Sequence, residues 1–266
     1  MPSRLRTLFA VALCLASAAA GSARANDVST EDVRRFLDPT VMISKLEYRY
    51  QANHLPDDFD VYTHKLRPWI ALNNGNAVWA RVPFARLSRA DGETSGGLGD
   101  VSLGWGRLFH ENLERRLTAF AATAELKMPT GDPAEGTSLD AYVGNVVAAI
   151  VTNPTDMFPV FVIARYLHSF DKAVDGLDIR SAELTVQSFH ILPRGFYLLL
   201  IPSFLYDFER DFDVFSFGAG GGKALTRRFA MQAAYVQYIS GQKTFNRGFT
   251  IGLNYMWGTD KGSRSR

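Results

Sequence analysis

Few side chains in this 266-residue sequence are spaced for nucleophilic or metal-dependent catalysis. The one adjacent histidine–serine pair is His168 and Ser169. A serine hydrolase needs a base within hydrogen-bond reach of its nucleophile, whereas neighbouring residues of a β-strand point to opposite faces. This pair therefore cannot act together from within a strand. No histidine, cysteine and carboxylate spacing matches a zinc site, so we expect no catalytic residue, no metal and no cofactor.

Acidic residues concentrate in the polar segments between apolar ones. In one segment Asp207, Glu209, Asp211 and Asp213 occupy alternate positions. A calcium loop would also require a turn glycine and a distal bidentate glutamate, and this run has neither. The simplest interpretation is a solvated rim; the alternatives are a rim that holds lipopolysaccharide through divalent cations or one that disfavours anionic solutes. The other acids are Asp57, Asp58, Asp60, Asp132, Glu135, Asp140, Asp171, Asp175 and Asp178.

A larger set of charged and polar side chains falls at alternate positions of extended segments. If each segment is a strand with its apolar face toward lipid, these side chains point into a barrel. Charged residues facing lipid would be costly, which supports this assignment. We predict that they line a lumen, either as structural ion pairs or as selectivity residues. The set comprises Lys45, Glu47, Arg49, Lys65, Arg67, Arg81, Asp100, Glu125, Lys127, Arg165, Glu183 and Gln187.

The hydrophobic pattern that positions these side chains has a period of two. Near the C-terminus small or polar residues alternate with Phe249, Ile251, Leu253, Tyr255 and Trp257. A transmembrane barrel strand is expected to look like this, apolar toward lipid and polar toward the lumen. Beyond the N-terminal region no run of about 18 apolar residues predicts a membrane helix. A membrane protein built from this chain must therefore be a closed barrel, the other fold that satisfies every backbone polar group in hydrocarbon.

The same pattern predicts an all-β fold, a single closed antiparallel transmembrane β-barrel of about twelve strands. Strands of this length cross a bilayer core when tilted, whereas soluble sandwich strands are usually about half as long. Tight turns alternate with longer polar segments, as in barrels with short periplasmic turns and longer outer loops. The predicted strands lie near 41–52, 61–72, 76–87, 98–109, 117–128, 141–152, 158–170, 179–191, 196–207, 213–223, 229–239 and 248–257.

Two features disturb this pattern. Pro68, Pro83 and Pro202 fall within predicted strands, where each removes a ladder hydrogen bond, so they mark either bulges or shifted registers. The strands near 158–170 and 196–207 are apolar on both faces, which predicts a partly apolar lumen beside them. A soluble two-sheet sandwich would explain those two strands better and the others worse.

The N-terminus has the pattern of a cleaved secretory signal. Arg4 and Arg6 precede an apolar run, and Ala23 and Ala25 stand at −3 and −1 before a cut at Asn26. Cleavage would remove the single cysteine together with three arginines and no acid, which turns the formal charge of +2 into −1. The basic charge therefore belongs to the precursor and does not predict a nucleic-acid partner.

A short helix is predicted between the signal and the first strand. Ser29 is placed to cap it, with Asp32 at the third helical position. The helix would lie at the periplasmic mouth of the barrel or form a plug inside its lumen. The predicted organisation is a signal peptide (1–25), a periplasmic N-terminal segment (26–40), a transmembrane barrel (41–258) and a polar tail (259–266).

Two glycine-containing motifs carry a family resemblance. The first, Gly96-Gly97-Leu98-Gly99-Asp100, opens a strand, and the second, Pro129-Thr130-Gly131-Asp132, ends the next one. The pair resembles the outer-membrane transporter family named for the meta-pathway of phenol degradation. The resemblance implies an outer-membrane barrel that admits aromatic or other apolar compounds, and it supplies no catalytic residue. On the residues alone, the motifs shape loops, with the three glycines of the first permitting unusual backbone angles.

These observations predict a passive channel of the bacterial outer membrane, with small solutes and outer-membrane lipid as partners. A twelve-stranded barrel is narrow, because eight strands are filled by side chains and sixteen leave a wide channel. One alternative is a lipid-acting barrel enzyme of phospholipase or deacylase type. In outer-membrane phospholipases one residue separates the histidine and serine and Asn-Gly follows, whereas Phe170 and Asp171 follow the adjacent pair here. The other alternative is a non-conducting structural barrel.

Overall fold

The computed structural model describes most of the chain between the predicted signal peptide and the predicted tail. Both of those segments lie outside the described residues, so they stay predictions. Among the described residues, no helix is long and apolar enough to cross a membrane. The described residues are 28–38, 43–55, 59–111, 117–155, 157–173, 176, 178–241 and 246–258.

The fold is a closed barrel of twelve antiparallel strands with one short helix, which confirms the predicted fold class. Thirteen strand segments form it, because one barrel strand consists of two pieces. Strands adjacent in sequence pair with each other, and the first closes the barrel against the last. The elements are α1 (Thr30–Leu37), β1 (Ser44–His54), β2 (Asp60–Ala71), β3 (Asn76–Ser88), β4 (Thr94–Leu98), β5 (Ser102–Glu111), β6 (Leu117–Lys127), β7 (Val143–Thr155), β8 (Phe158–Ser169), β9 (Arg180–Ile191), β10 (Phe196–Asp207), β11 (Phe212–Ala224), β12 (Phe229–Gly241) and β13 (Arg247–Trp257).

The two ends of the barrel differ in their connections. Short turns such as 72–75 and 192–195 lie at one end, which we call the turn end, and longer segments such as 128–142 lie at the opposite loop end. The chain enters and leaves the barrel at the turn end, since Ser44 pairs with Trp257. Short turns are typical of the periplasmic side of outer-membrane barrels, so we expect the turn end to face the periplasm.

The strand predicted near 98–109 is interrupted by a β-bulge. Its two pieces, β4 and β5, pair with successive parts of β3. Phe84 pairs with Leu98 and Arg81 pairs with Ser102, so three residues of one strand face two of the other. The extra residue falls in Gly99–Val101, where it bends the strand at the loop end.

Two glycines of the first motif, Gly96 and Gly99, allow close packing, which corrects the prediction of unusual backbone angles. None of Gly96, Gly97 and Gly99 has a positive φ. A Cβ on Gly96 would lie 2.5 Å from the carbonyl oxygen of Ala85, and a Cβ on Gly99 would lie 3.0 Å from Cγ of Pro83. At Gly96 the neighbouring backbone leaves no room for a Cβ, and at Gly99 a Cβ would fit only tightly against the Pro83 ring.

The three prolines lie within strands, and only Pro83 lies at a register shift. The β2–β3 pairing continues unchanged on both sides of Pro68, and the β9–β10 pairing continues unchanged on both sides of Pro202. Pro83 lies beside the bulge, where its carbonyl accepts a hydrogen bond of 2.8 Å from the backbone N–H of Gly99. Of the two explanations offered by the sequence, a bulge applies to Pro83 alone.

The outer face of the barrel is apolar. Leu103, Trp105 and Leu126 are exposed, whereas Ser102 and Glu125 at alternating positions are buried. Exposed apolar surface of this extent is unfavourable in water and favourable against lipid. The period-two pattern of the sequence therefore matches the two faces of the strands, and the barrel is built to cross a bilayer.

Helix α1 begins at the predicted cap and packs inside the turn end. The backbone N–H of Asp32 donates to Oγ of Ser29 at 3.1 Å, and the Asp32 carboxylate accepts from the Ser29 backbone at 3.0 Å, which is a capping box. The buried side of the helix, Val33, Phe36 and Leu37, joins one apolar cluster with residues of the barrel wall. Of the two predicted positions for this helix, the structure shows the one within the barrel.

Candidate functional site in the barrel interior

Glu47 is the centre of an ion cluster on the inner wall. Strand β1 places it opposite Arg67 of β2, and its side chain is 5% exposed. Its carboxylate accepts a hydrogen bond from Arg67 and lies 3.0 Å from Nζ of Lys45 and 3.7 Å from Nη2 of Arg49. Three cations therefore share one carboxylate, and the cluster has a net positive charge.

A second carboxylate, Glu125 of β6, is buried beside two tryptophans. Nε1 of Trp79 donates to one oxygen at 2.9 Å, and Nη1 of Arg81 donates to the other at 2.9 Å. The rings of Trp69 and Trp79 stack with their centroids 4.3 Å apart and 3° between their planes. Gly104 leaves space for this pair, because a Cβ there would overlap the Trp79 indole. The aromatic stack thus holds the indole donor against Glu125.

Glu183 of β9 forms the third ion pair of the interior. Nη1 of Arg165, its register partner in β8, donates to one carboxylate oxygen at 2.8 Å. The other oxygen accepts from Oγ of Ser203 at 2.8 Å and from Oγ1 of Thr185 at 3.1 Å. Both oxygens of this carboxylate are therefore satisfied within the protein.

Two lysines of the predicted set have neutral or distant partners. Nζ of Lys65 donates to Oε1 of Gln51 at 2.5 Å. Lys127 forms no ion pair within 4.0 Å in the part of the chain that the structure describes, although Asp100 and Glu125 interact with it electrostatically. These two cations are therefore the least neutralised of the set.

Ser102 lies between Arg81 and Lys127 on the inner wall. In the strand register it is opposite Arg81 on one side and Lys127 on the other. Its side chain is 1% exposed, and its Oγ has no hydrogen-bond partner among the described residues. A buried hydroxyl without a partner is unusual and indicates a donor that the protein itself does not use.

Asp100 has a different environment from the other predicted lumen residues. Its carboxylate accepts hydrogen bonds from the backbone N–H groups of Gly131 at 3.2 Å and Leu139 at 2.9 Å. Next to it, Oγ1 of Thr130 accepts from the N–H of Val101 at 2.9 Å. The two motifs thus bind each other, and Asp100 holds the loop between β6 and β7 against the bulge.

The structure brings together most of the predicted charged residues, but not all of them. Gln187 lies apart, opposite the buried ring of Phe161 in the apolar part of the wall. Asp100 accepts hydrogen bonds from the loop backbone and takes no part in the ion pairs of the other residues. Whether the set lines a conducting lumen is not tested by this geometry and stays a prediction. The residues that meet in ion pairs are Lys45, Glu47, Arg49, Arg67, Arg81, Glu125, Arg165 and Glu183.

The turn-end part of the interior is apolar, as expected from the two strands that are apolar on both faces. Phe161, Phe189 and Leu199 are buried in the cluster that includes the helix. Ile163 and Ile201 are partly buried against it. The interior therefore has an apolar zone around α1 at the turn end and a charged zone formed by the ion pairs described above. The two zones meet where Lys45 of β1 pairs with Met256 of the apolar cluster.

The tryptophan pair and the polar side chains that support the carboxylates were not predicted from the sequence. Trp69 and Trp79 occupy the same inner face as Arg67 and Arg81, two residues away in each strand, and a tight turn joins those strands. That spacing could have indicated the pair. The contact of Ser203 with Glu183 joins β10 to β9, and alternation along a single strand carries no signal for such a contact.

The residues considered for catalysis or metal binding do not form a site. Oγ of Ser169 accepts a hydrogen bond of 2.8 Å from the backbone of Ile179 on the buried face, whereas His168 is exposed. At the loop end, Asp207 accepts from the backbone N–H of Glu209 and of Arg210, each at 3.0 Å. Within the described residues, no group of three histidines, cysteines or carboxylates could hold a metal ion.

Comparison with known proteins identifies the fold. No protein-family model and no curated protein sequence matches the chain. Among solved structures, an outer-membrane channel from Pseudomonas putida is 15% identical and has a TM-score of 0.64, covering 81% of this chain and 94% of its own. The KdgM porin is 11% identical with a TM-score of 0.54, covering 80% of this chain and 99% of its own. This chain has the outer-membrane β-barrel fold.

A second porin has a similar fold. The NanC porin is 8% identical with a TM-score of 0.54, and the match covers 80% of this chain and 98% of that one. Identities this low establish a common architecture and nothing about the solute. The resemblance to the phenol-degradation family therefore stays a prediction.

Proposed function

We propose that this protein is a passive channel of the bacterial outer membrane for small solutes. The observation that carries the proposal is the accessibility of charged groups inside a closed barrel. Arg49 and Arg165 retain 46% and 42% of their side-chain exposure, and Arg81 retains 32%. Water-accessible charges enclosed by an apolar outer face support a passage for polar solutes through the barrel.

The proposed solutes include aromatic or other apolar compounds. The apolar inner zone formed by Phe161, Ile163, Phe189, Leu199 and Ile201 supports this part of the proposal. The resemblance of the two glycine motifs to the phenol-degradation transporters points the same way. In this proposal a solute passes between the charged and the apolar parts of the inner wall, and α1 limits the opening at the turn end.

The loop end is proposed to face the cell exterior and to contact lipopolysaccharide. Acidic side chains at this end already pair within the protein, as in the contacts of Asp207 with Arg210 at 3.0 Å and of Glu209 with Arg180 at 3.1 Å. Divalent cations would bridge the remaining exposed acids to anionic lipid headgroups.

Solute entry into liposomes tests the channel proposal. The full chain is refolded into liposomes, which are then diluted into isosmotic arabinose or isosmotic dextran. We expect swelling in arabinose above that of protein-free liposomes, and none in dextran, since a twelve-stranded barrel is too narrow for a polymer. Equal behaviour of protein-containing and protein-free liposomes in arabinose would contradict the proposal.

A further inference from the structure

We infer that the charged zone binds the carboxylate group of a small organic anion. This inference names the solute class and rests on the proposed function. The predicted lumen set contains seven lysines and arginines but four carboxylates. An excess of one sign enclosed by low-dielectric walls attracts ions of the opposite sign.

The carboxylates of the interior already have partners. Both oxygens of Glu125 accept hydrogen bonds, as do both oxygens of Glu183. Glu47 is shared among three cations, and Asp100 binds the backbone of the loop. Among the described residues, no carboxylate of this set therefore lies within ion-pair distance of either lysine, and Asp100 and Glu125 act on Lys127 only from a greater distance.

Lys65 and Lys127 are the centre of the proposed site. Lys65 interacts electrostatically with Arg49, Arg81, Lys127 and Arg165, which are all cations. Its own hydrogen-bond acceptor is the neutral amide of Gln51. Like charges within one enclosed interior repel each other, and an anion bound among them would relieve that repulsion.

The hydrogen-bonding groups at this place favour a carboxylate. Each lysine ammonium offers three donors, and the unpartnered hydroxyl of Ser102 lies between Arg81 and Lys127 in the strand register. A carboxylate accepts several charge-assisted hydrogen bonds at once, whereas a halide lacks the two separated oxygens. A buried donor beside two cations is therefore better matched by an oxygen anion.

The adjacent apolar zone favours an anion with an apolar body. Ile163 is two residues from Arg165 on the same inner face of β8, and Ile201 packs in the same cluster from β10. A carboxylate held by the cations would place its attached group against these side chains. The inferred class is an aromatic or aliphatic monocarboxylate.

Calorimetric titration of the detergent-solubilised full chain tests the inference with benzoate as the probe. Benzyl alcohol, which has the same ring and no charge, is the reference ligand. We expect benzoate to bind and benzyl alcohol to bind at least about tenfold more weakly, since close charge pairs contribute on this scale. Equal affinity for the two compounds, or no benzoate binding, would overturn the inference.

Variants locate the site. The double variant K65Q/K127Q is expected to lose about tenfold in benzoate affinity, and K65R/K127R to retain it. The matched control K172Q removes an exposed lysine of a loop and should bind benzoate like the wild type. Folding of each variant is checked by the heat-dependent shift of the barrel on electrophoresis. If K65Q/K127Q folds and binds benzoate like the wild type, the proposed site is wrong.

Measuring the reversal potential distinguishes a failure of this inference from a failure of the proposed channel function. In planar bilayers under a potassium chloride gradient, the wild type should prefer chloride over potassium, and K65Q/K127Q should lose most of this preference. A channel that conducts without preferring anions would contradict the inference and leave the channel intact. Benzoate binding without any conductance would contradict the channel and leave the anion site intact.

Discussion

The carboxylate of Asp100 accepts a hydrogen bond of 3.2 Å from the backbone N–H of Gly131, 31 positions later in the chain. A second hydrogen bond, from the N–H of Leu139 at 2.9 Å, connects the same side chain to the far part of the loop. The two motifs recognised in the sequence are therefore one structural unit. Through this unit a buried carboxylate holds the β6–β7 loop against the bulge between β4 and β5.

The first prediction concerns this loop contact. D100A removes both charge-assisted hydrogen bonds and should lower the free energy of unfolding by about 3 kcal/mol. The measurement is a urea titration of the refolded barrel, with the folded fraction determined by the electrophoretic shift. D171N changes an exposed aspartate of another loop and should leave the midpoint unchanged. A D100A midpoint equal to that of the wild type would show that the contact contributes no stability.

The tryptophan stack gives the second prediction. A Cβ at Gly104 would overlap the Trp79 indole, so G104A should cost about 1–3 kcal/mol through overpacking. It should also weaken the near-ultraviolet circular dichroism that arises from the two stacked indoles. Gly97 is the matched control, because a Cβ there would have no atom within 4 Å. If G104A and G97A have the same spectrum and unfolding midpoint, the described packing is incorrect.

The third prediction concerns the buried carboxylate of Glu47. E47Q leaves Lys45, Arg49 and Arg67 without their shared counter-charge and should destabilise the barrel by about 3–5 kcal/mol. The same change at Glu93, whose ion pair with Arg89 is exposed, should cost less than about 1 kcal/mol. Urea titration compares the two variants. Similar midpoints for E47Q and E93Q would argue against a structural ion cluster on β1 and β2.

The fourth prediction concerns α1 at the turn end. Val33 is 1% exposed against the barrel wall, so V33D places a charge in an apolar contact and should release the helix from the wall. We expect a higher single-channel conductance for V33D than for the wild type. R35Q changes an exposed residue of the same helix and should conduct like the wild type. Unchanged conductance in a folded V33D variant would mean that the helix does not limit the opening.

The overall fold could be predicted from the sequence because alternation is a local signal. Each barrel strand separates a lipid face from an inner face, so the pattern of Phe249 to Trp257 predicts which side chains point outward. The capping box of Ser29 and Asp32 is also local, and the helix begins where it predicts. Charged residues at inner positions, such as Glu47 and Glu125, follow from the same alternation.

The remaining features depend on contacts between distant parts of the chain. The bulge at Gly99–Val101 depends on the loop that Asp100 binds, 31 and 39 positions away. The position of α1 inside the barrel depends on apolar residues of strands that follow it much later, such as Phe189 and Leu199. The sequence of this eight-residue amphipathic helix is compatible with a position at the mouth of the barrel and with one in its lumen. The position is therefore determined by contacts that exist only in the assembled barrel.

Single-channel recording tests the central claim most directly. The refolded full chain is added to one side of a planar lipid bilayer, and the current is followed at fixed voltage. A polar conduit enclosed by twelve strands predicts discrete current steps of uniform size that increase in V33D. A bilayer that incorporates the folded protein and stays electrically silent, for both the wild type and V33D, would contradict the channel.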